Sequence, residues 1–123
     1  MPAKRGNSTR VEVRSPDPAA NPYLAFAALL LAGLDGVKNR IEPPASVAAN
    51  IYKLSPVERL DQNILSLPGS LYEALEEMKT STVAKEALGE HIYGEFIKAK
   101  EVEWDEYRTD VTPWELERYM PRY

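Results

Sequence analysis

Apolar and charged positions alternate over 9–14. Val11 and Val13 point one way; Arg10, Glu12 and Arg14 point the other. The alternation predicts a short strand with one apolar and one charged face. A lone strand is not stable, and nothing later in the chain reads as its partner. The pattern alone therefore points to an incomplete domain. Residues 1–8 are small, basic and polar and read as a loop. After the strand, Ser15-Pro16-Asp17-Pro18 is a rigid turn whose prolines fix two backbone angles. Asn21-Pro22 reads as a helix cap followed by the first helical residue. The helix it opens runs to about Asn39 and is apolar nearly all round through Leu34, the pattern of a helix buried on most sides. Gly33 and Gly36 inside it each cost about 1 kcal/mol relative to alanine, which close packing against another backbone offsets.

Glu42-Pro43-Pro44 breaks the chain, and the stretch to Leu54 reads as loop. Three further helix starts carry capping-box chemistry, a hydroxyl at the cap and a glutamate three residues on. Ser55 with Glu58 opens a short helix, Ser70 with Glu73 one ending near Met78, and Thr112 with Glu115 the last. A short turn over 81–88 leads into a long helix from Glu90 to about Arg108. There Tyr93, Phe96, Ile97, Lys100, Trp104 and Tyr107 recur at helical spacing, opposite a charged face. The expected fold is mainly α with one N-terminal β-strand: strand 9–14, then a helical region over 22–123.

Composition narrows the function. The chain has 123 residues and a net charge of −4, which argues against a nucleic-acid binder and against adhesion to an anionic membrane. It has no cysteine, which excludes disulfides, thiolate metal sites and cysteine nucleophiles. The apolar run 24–34 is about half the length a bilayer-spanning helix needs. Residues 1–10 are polar and basic with no apolar core behind them, so no secretory signal and a cytoplasmic location are expected.

The charged strand face is the one candidate for chemistry. Side chains two apart on a strand project in parallel, roughly 6–7 Å apart. A carboxylate between two guanidinium groups stays ionised and can ligate a hard cation such as Mg²⁺. Arginines bind phosphate or carboxylate oxygens through a planar fork of donors, which suits phosphoryl transfer. Spacing alone does not separate this from a solvated strand face with cross-strand ion pairs.

The longer string does. Arg10-Val11-Glu12-Val13-Arg14-Ser15-Pro16-Asp17-Pro18-Ala19-Ala20-Asn21-Pro22-Tyr23-Leu24-Ala25-Phe26 closely resembles a signature stretch of type I glutamine synthetases. The resemblance continues through Ala32-Gly33-Leu34-Asp35-Gly36-Val37-Lys38-Asn39, Leu67-Pro68-Gly69-Ser70-Leu71, Glu86-Ala87-Leu88-Gly89, Glu103-Trp104-Asp105-Glu106-Tyr107-Arg108 and Thr112-Pro113-Trp114-Glu115-Leu116. It covers nearly the whole chain and places it as the C-terminal helical part of an α+β catalytic domain. Met1-Pro2-Ala3-Lys4-Arg5-Gly6 reads like family sequence just before the strand, as expected for a fragment.

The resemblance implies an ATP-dependent glutamate–ammonia ligase that works through γ-glutamyl phosphate with Mg²⁺ or Mn²⁺. Glu12 matches a metal-ligating glutamate, Arg14 a catalytic arginine at the substrate and phosphoryl end, and Arg10 an arginine near the nucleotide phosphates. The family's other metal ligands lie upstream of this stretch, so the isolated chain is expected to be inactive. His91 does not match the family's metal-ligating histidine and reads as a helix-surface or cap residue. Tyr52 falls where one branch of the family carries an adenylylated tyrosine, but the surrounding sequence resembles the other branch. Trp114, Leu116, Tyr119 and Met120 form an apolar set on the tail, which the family uses to clasp a neighbouring subunit in a dodecamer. Two alternatives remain: a stand-alone module docking on full-length rings, and a fragment of a related ligase joining glutamate to another amine.

Overall fold

The computed structural model describes residues 11–122. Among them, five α-helices follow one another: α1 (Pro22–Lys38), α2 (Pro56–Asp61), α3 (Leu71–Thr80), α4 (Thr82–Thr109) and α5 (Pro113–Tyr119). Single 3-10 turns lie at Ile51–Lys53 and Met120–Arg122. The chain is mainly helical, as expected. The expected strand is not present among the described residues: 11–14 carry no regular secondary structure, and Thr9 and Arg10 lie outside them. The reason is the one the pattern itself gave. Alternation supplies two faces, but a ladder needs a neighbouring backbone, and no described segment offers one.

The helix starts follow the capping chemistry. The Asn21 side chain accepts from the backbone N–H of Tyr23 and Leu24 at 3.0 and 3.4 Å, with Pro22 in the first turn. Ser55 with Glu58 and Thr112 with Glu115 form reciprocal boxes. At α3 the box is shifted by one residue. Ser70 Oγ accepts from the Glu73 N–H, but the Glu73 carboxylate accepts from Gly69 N–H at 2.7 Å and not from Ser70.

Two helices end alike. After α1, Arg40 adopts φ 52° while the Ile41 N–H reaches back to the Gly36 carbonyl at 2.9 Å. After α2, Asn63 adopts φ 58° and the Ile64 N–H reaches the Arg59 carbonyl at 2.8 Å. Both are Schellman closures with a left-handed residue just beyond the cap.

Ser81 ends α3 and begins α4: its N–H donates to the Met78 carbonyl and its hydroxyl accepts from the Ala84 N–H. The expected turn over 81–88 is instead a helical segment. Gly89, at φ 71° and ψ 158°, divides α4 into 82–88 and 90–109. That backbone region is essentially reserved for glycine.

Helix α4 is the common partner of α1 and α3. Leu75 of α3, 3% exposed, is the one core side chain among the described residues. Around it, the Tyr93 hydroxyl donates to the Met78 carbonyl at 2.8 Å, closing the free end of α3. Lys79 bridges Glu76 and Glu101, each at 2.8 Å. Glu101 first and Glu76 second hold its ammonium above the ordinary lysine range. Trp104 lies between Tyr72 and Tyr107, with ring centroids 6.0 and 5.9 Å away.

Helix α1 has two apolar faces, not one enveloping surface. Leu24, Ala25, Ala28 and Leu31 are half-buried on the side turned to α4. Tyr23, Phe26, Leu30, Leu34 and Val37 are exposed on another.

Candidate functional site

The sequence places the candidate chemistry just before α1, and the turn there fixes how it is presented. The Asp17 carboxylate accepts from the Ala19 N–H at 2.7 Å, and its carbonyl accepts from the Ala20 N–H at 2.9 Å. This local turn leads directly into the Asn21 cap. Glu12 and Arg14 therefore precede the start of α1 by one short, hydrogen-bonded turn.

The alternation predicts parallel projection at strand spacing; with no strand over 11–14, the two side chains instead meet directly. Arg14 Nη2 lies 2.6 Å and Nε 2.7 Å from the same Glu12 oxygen, Oε1. The second carboxylate oxygen is outside this pairing. Both side chains face solvent, so the pair by itself contributes about 0–1 kcal/mol to stability. Its worth is chemical: an anionic oxygen donor beside a guanidinium fork. Arg10, the third member of the predicted set, lies outside the described residues.

One carboxylate is not a metal cage. Among the described residues no group of three or more histidine, cysteine, aspartate or glutamate side chains is placed to hold an ion. Glu12 does fit the more modest role of a single hard oxygen ligand. Mg²⁺ takes one or two carboxylates from a protein and fills its shell with phosphates and water. His91 sits exposed on α4 and belongs to no such group.

The remaining features are not catalytic in character. A groove of about 410 Å³ between α1 and α4 is lined by Leu24, Ala28, Met78, Leu88, Phe96 and Lys100. It is mostly apolar, and Lys100 at its edge is paired with Glu103. Tyr52 is fully exposed on the 3-10 turn that Asn50 caps at 3.1 Å. On α5, Trp114 meets Tyr119 edge to face at 6.1 Å, and Arg118 lies over the Trp114 ring at 5.3 Å. Trp114, Leu116, Tyr119 and Met120 are all exposed. No helix among the described residues is long and apolar enough to cross a membrane.

Sequence reasoning took α1 as apolar all round and so missed its outward stripe. The signal was available: Tyr23, Phe26, Leu30, Leu34 and Val37 recur at intervals of three and four.

Comparison with known proteins identifies the class as an enzyme catalytic domain. The model of the glutamine synthetase catalytic domain matches residues 1–119. Glutamine synthetase from Clostridium saccharobutylicum is 54% identical over 123 residues, covering 100% of this chain and 28% of that protein. Glutamine synthetase from Methanosarcina mazei is 57% identical over 120 residues, covering 98% of this chain and 27% of that protein. The Staphylococcus aureus protein of the same name is 54% identical over 123 residues. The chain belongs to the glutamine synthetase family. It spans a little over a quarter of the length of these relatives and corresponds to their carboxy-terminal part.

Proposed function

We propose that this chain is the carboxy-terminal portion of a cytoplasmic, ATP-dependent glutamate–ammonia ligase and contributes the Arg10, Glu12, Arg14 strand to a composite active site. The observation that carries this reading is the whole-length similarity to proteins named glutamine synthetase, at 54% and 57% identity. In the intact enzyme Glu12 gives one carboxylate oxygen to a catalytic Mg²⁺ or Mn²⁺. Such an ion would supply Lewis-acid neutralisation of phosphate charge, and Glu12 would be the residue of this chain that holds it. Arg14 offers its fork to the phosphoryl group as γ-glutamyl phosphate forms, and fixes its position before charge develops. Arg10 holds the nucleotide phosphates. Ammonia then displaces phosphate to give glutamine. The exposed face of α5 is assigned to a contact with a neighbouring subunit of a dodecamer.

The test joins this chain to the part of the Clostridium saccharobutylicum relative that lies outside the matched stretch. The chimera is expected to form glutamine from glutamate, ammonia and ATP, and the isolated chain to form none. In the chimera Glu12→Gln should weaken the apparent metal affinity by more than the roughly 10–100-fold that loss of an outer-shell partner of a ligand brings. Arg14→Gln should lower kcat by about 100-fold or more. A chimera that folds and assembles but forms no glutamine would refute the proposal. Glutamine formation by the isolated chain would refute the composite site.

A further inference from the structure

The proposed chemistry depends on where Glu12 and Arg14 point, and one carboxylate holds the chain between them and α1. Pro16 and Pro18 have a fixed φ and no backbone N–H. The first N–H after Asp17 is therefore that of Ala19. The Asp17 carboxylate accepts from it at 2.7 Å, and the Asp17 carbonyl accepts from the Ala20 N–H at 2.9 Å. Aspartate in the first place of such a turn and proline in the second are residues those places favour. Asn21 follows at once. Its side chain accepts from the Tyr23 N–H and its carbonyl from the Ala25 N–H, each at 3.0 Å. Among the described residues, Ser15 is the one position of 15–21 held by neither a proline ring nor a hydrogen bond.

Helix α1 is itself set on α4 through Leu24, Ala25 and Ala28. The direction in which Arg14 leaves the helices is thus carried from α4 through α1 and Asn21 to Asp17. Asp17 is exposed, so its carboxylate takes no part in the packing of α1 on α4.

We infer that Asp17 is a positioning residue for the ligase reaction: its carboxylate, by holding the Ala19 N–H, sets the direction in which Arg14 and Glu12 are presented. The inference rests on the ligase reading above for its chemistry and on the turn alone for its geometry. A guanidinium stabilises developing charge only where it already stands in place, and a displacement of about 1 Å can cost on the order of 100-fold in rate.

Three substitutions separate geometry from charge. Asp17→Asn keeps an oxygen that can accept from Ala19 and loses the charge. Asp17→Glu keeps the charge and sets the carboxylate one methylene too far out. Asp17→Ala removes both. Residual dipolar couplings of the Glu12 and Arg14 amides against those of α1, measured on the isolated chain, read the turn directly. They should hold in Asp17→Asn and average toward zero in Asp17→Glu and Asp17→Ala, with far-UV circular dichroism unchanged in all three. In the chimera, kcat should fall on the order of 10–100-fold in Asp17→Glu and Asp17→Ala and be largely kept in Asp17→Asn. Couplings that persist in Asp17→Ala overturn the inference, as does a chimera whose kcat is indifferent to Asp17→Ala. Loss of kcat in Asp17→Asn with retention in Asp17→Glu overturns it too, and gives Asp17 a role through charge instead. A chimera with Asp17 intact and no activity refutes the ligase reading, and the couplings then still decide whether Asp17 orients the segment.

Discussion

Leu75 shows how much a single side chain carries in this molecule. It is the one described residue that is fully in the core, held between α3 and the aromatic face of α4. Leu75→Ala is expected to cost about 2–5 kcal/mol, enough to abolish a cooperative thermal transition followed by circular dichroism. Arg40 makes the opposite prediction. It holds a left-handed φ of 52° to close α1, a conformation that costs a non-glycine residue about 1 kcal/mol. Arg40→Gly is therefore expected to stabilise the chain by about that amount in urea denaturation. The caps are sensitive to pH. The Ser55 hydroxyl and backbone hold Glu58 below the usual glutamate range, and the Thr112 backbone N–H and hydroxyl do the same for Glu115. A lowered folded-state pKa gives stability that is present above the unfolded pKa and lost as pH falls through the folded one. Amide signals of the first turns of α2 and α5 should therefore broaden below the ordinary glutamate range. Thr112→Ala should remove this dependence at α5. These caps were legible in the sequence because a hydroxyl at the cap and a glutamate three residues on can satisfy each other's orphan backbone N–H groups. The shift of Glu73 to Gly69 was not legible, since two adjacent N–H donors differ in nothing the sequence displays.

At the scale of elements, Gly89 decides the shape of the longest helix. Its φ of 71° and ψ of 158° separate 82–88 from 90–109, although a Cβ there would meet no neighbour within 4 Å. The constraint is backbone conformation, not space. Gly89→Ala should cost about 1–3 kcal/mol in urea denaturation. The sequence placed the long helix correctly from Glu90 because its aromatic residues recur at helical spacing. It read 81–88 as a turn because so short a segment has too few periods to announce itself, and the Ser81 hydroxyl on the Ala84 N–H starts a helix there all the same. For the strand over 9–14, the alternation was legible but the outcome depended on a partner. Secondary structure that needs a second backbone cannot be completed by a pattern in one.

For the molecule as a whole, the balance of surface and core is the main result. Large apolar residues from Val11 to Met120 are exposed on α1, α2, the connecting loops and α5. Such a surface predicts concentration-dependent self-association of the isolated chain, measurable by sedimentation velocity, and reduced by Leu30→Asp. The family was legible because the lead-in string and the later blocks cover the chain almost end to end. The site was legible only in part. Glu12 and Arg14 form a close pair, but without the strand that the alternation called for, and Arg10 lies outside the described residues.

The near absence of a core also sets how this polypeptide would fare inside a cell. Anything that binds only the folded form draws the population toward it by mass action, and the unpartnered form is the one that chaperones and proteases sort. The exposed stripe of α1 would serve as a degradation signal until it is covered. Cellular half-life would then track how fully that stripe is covered.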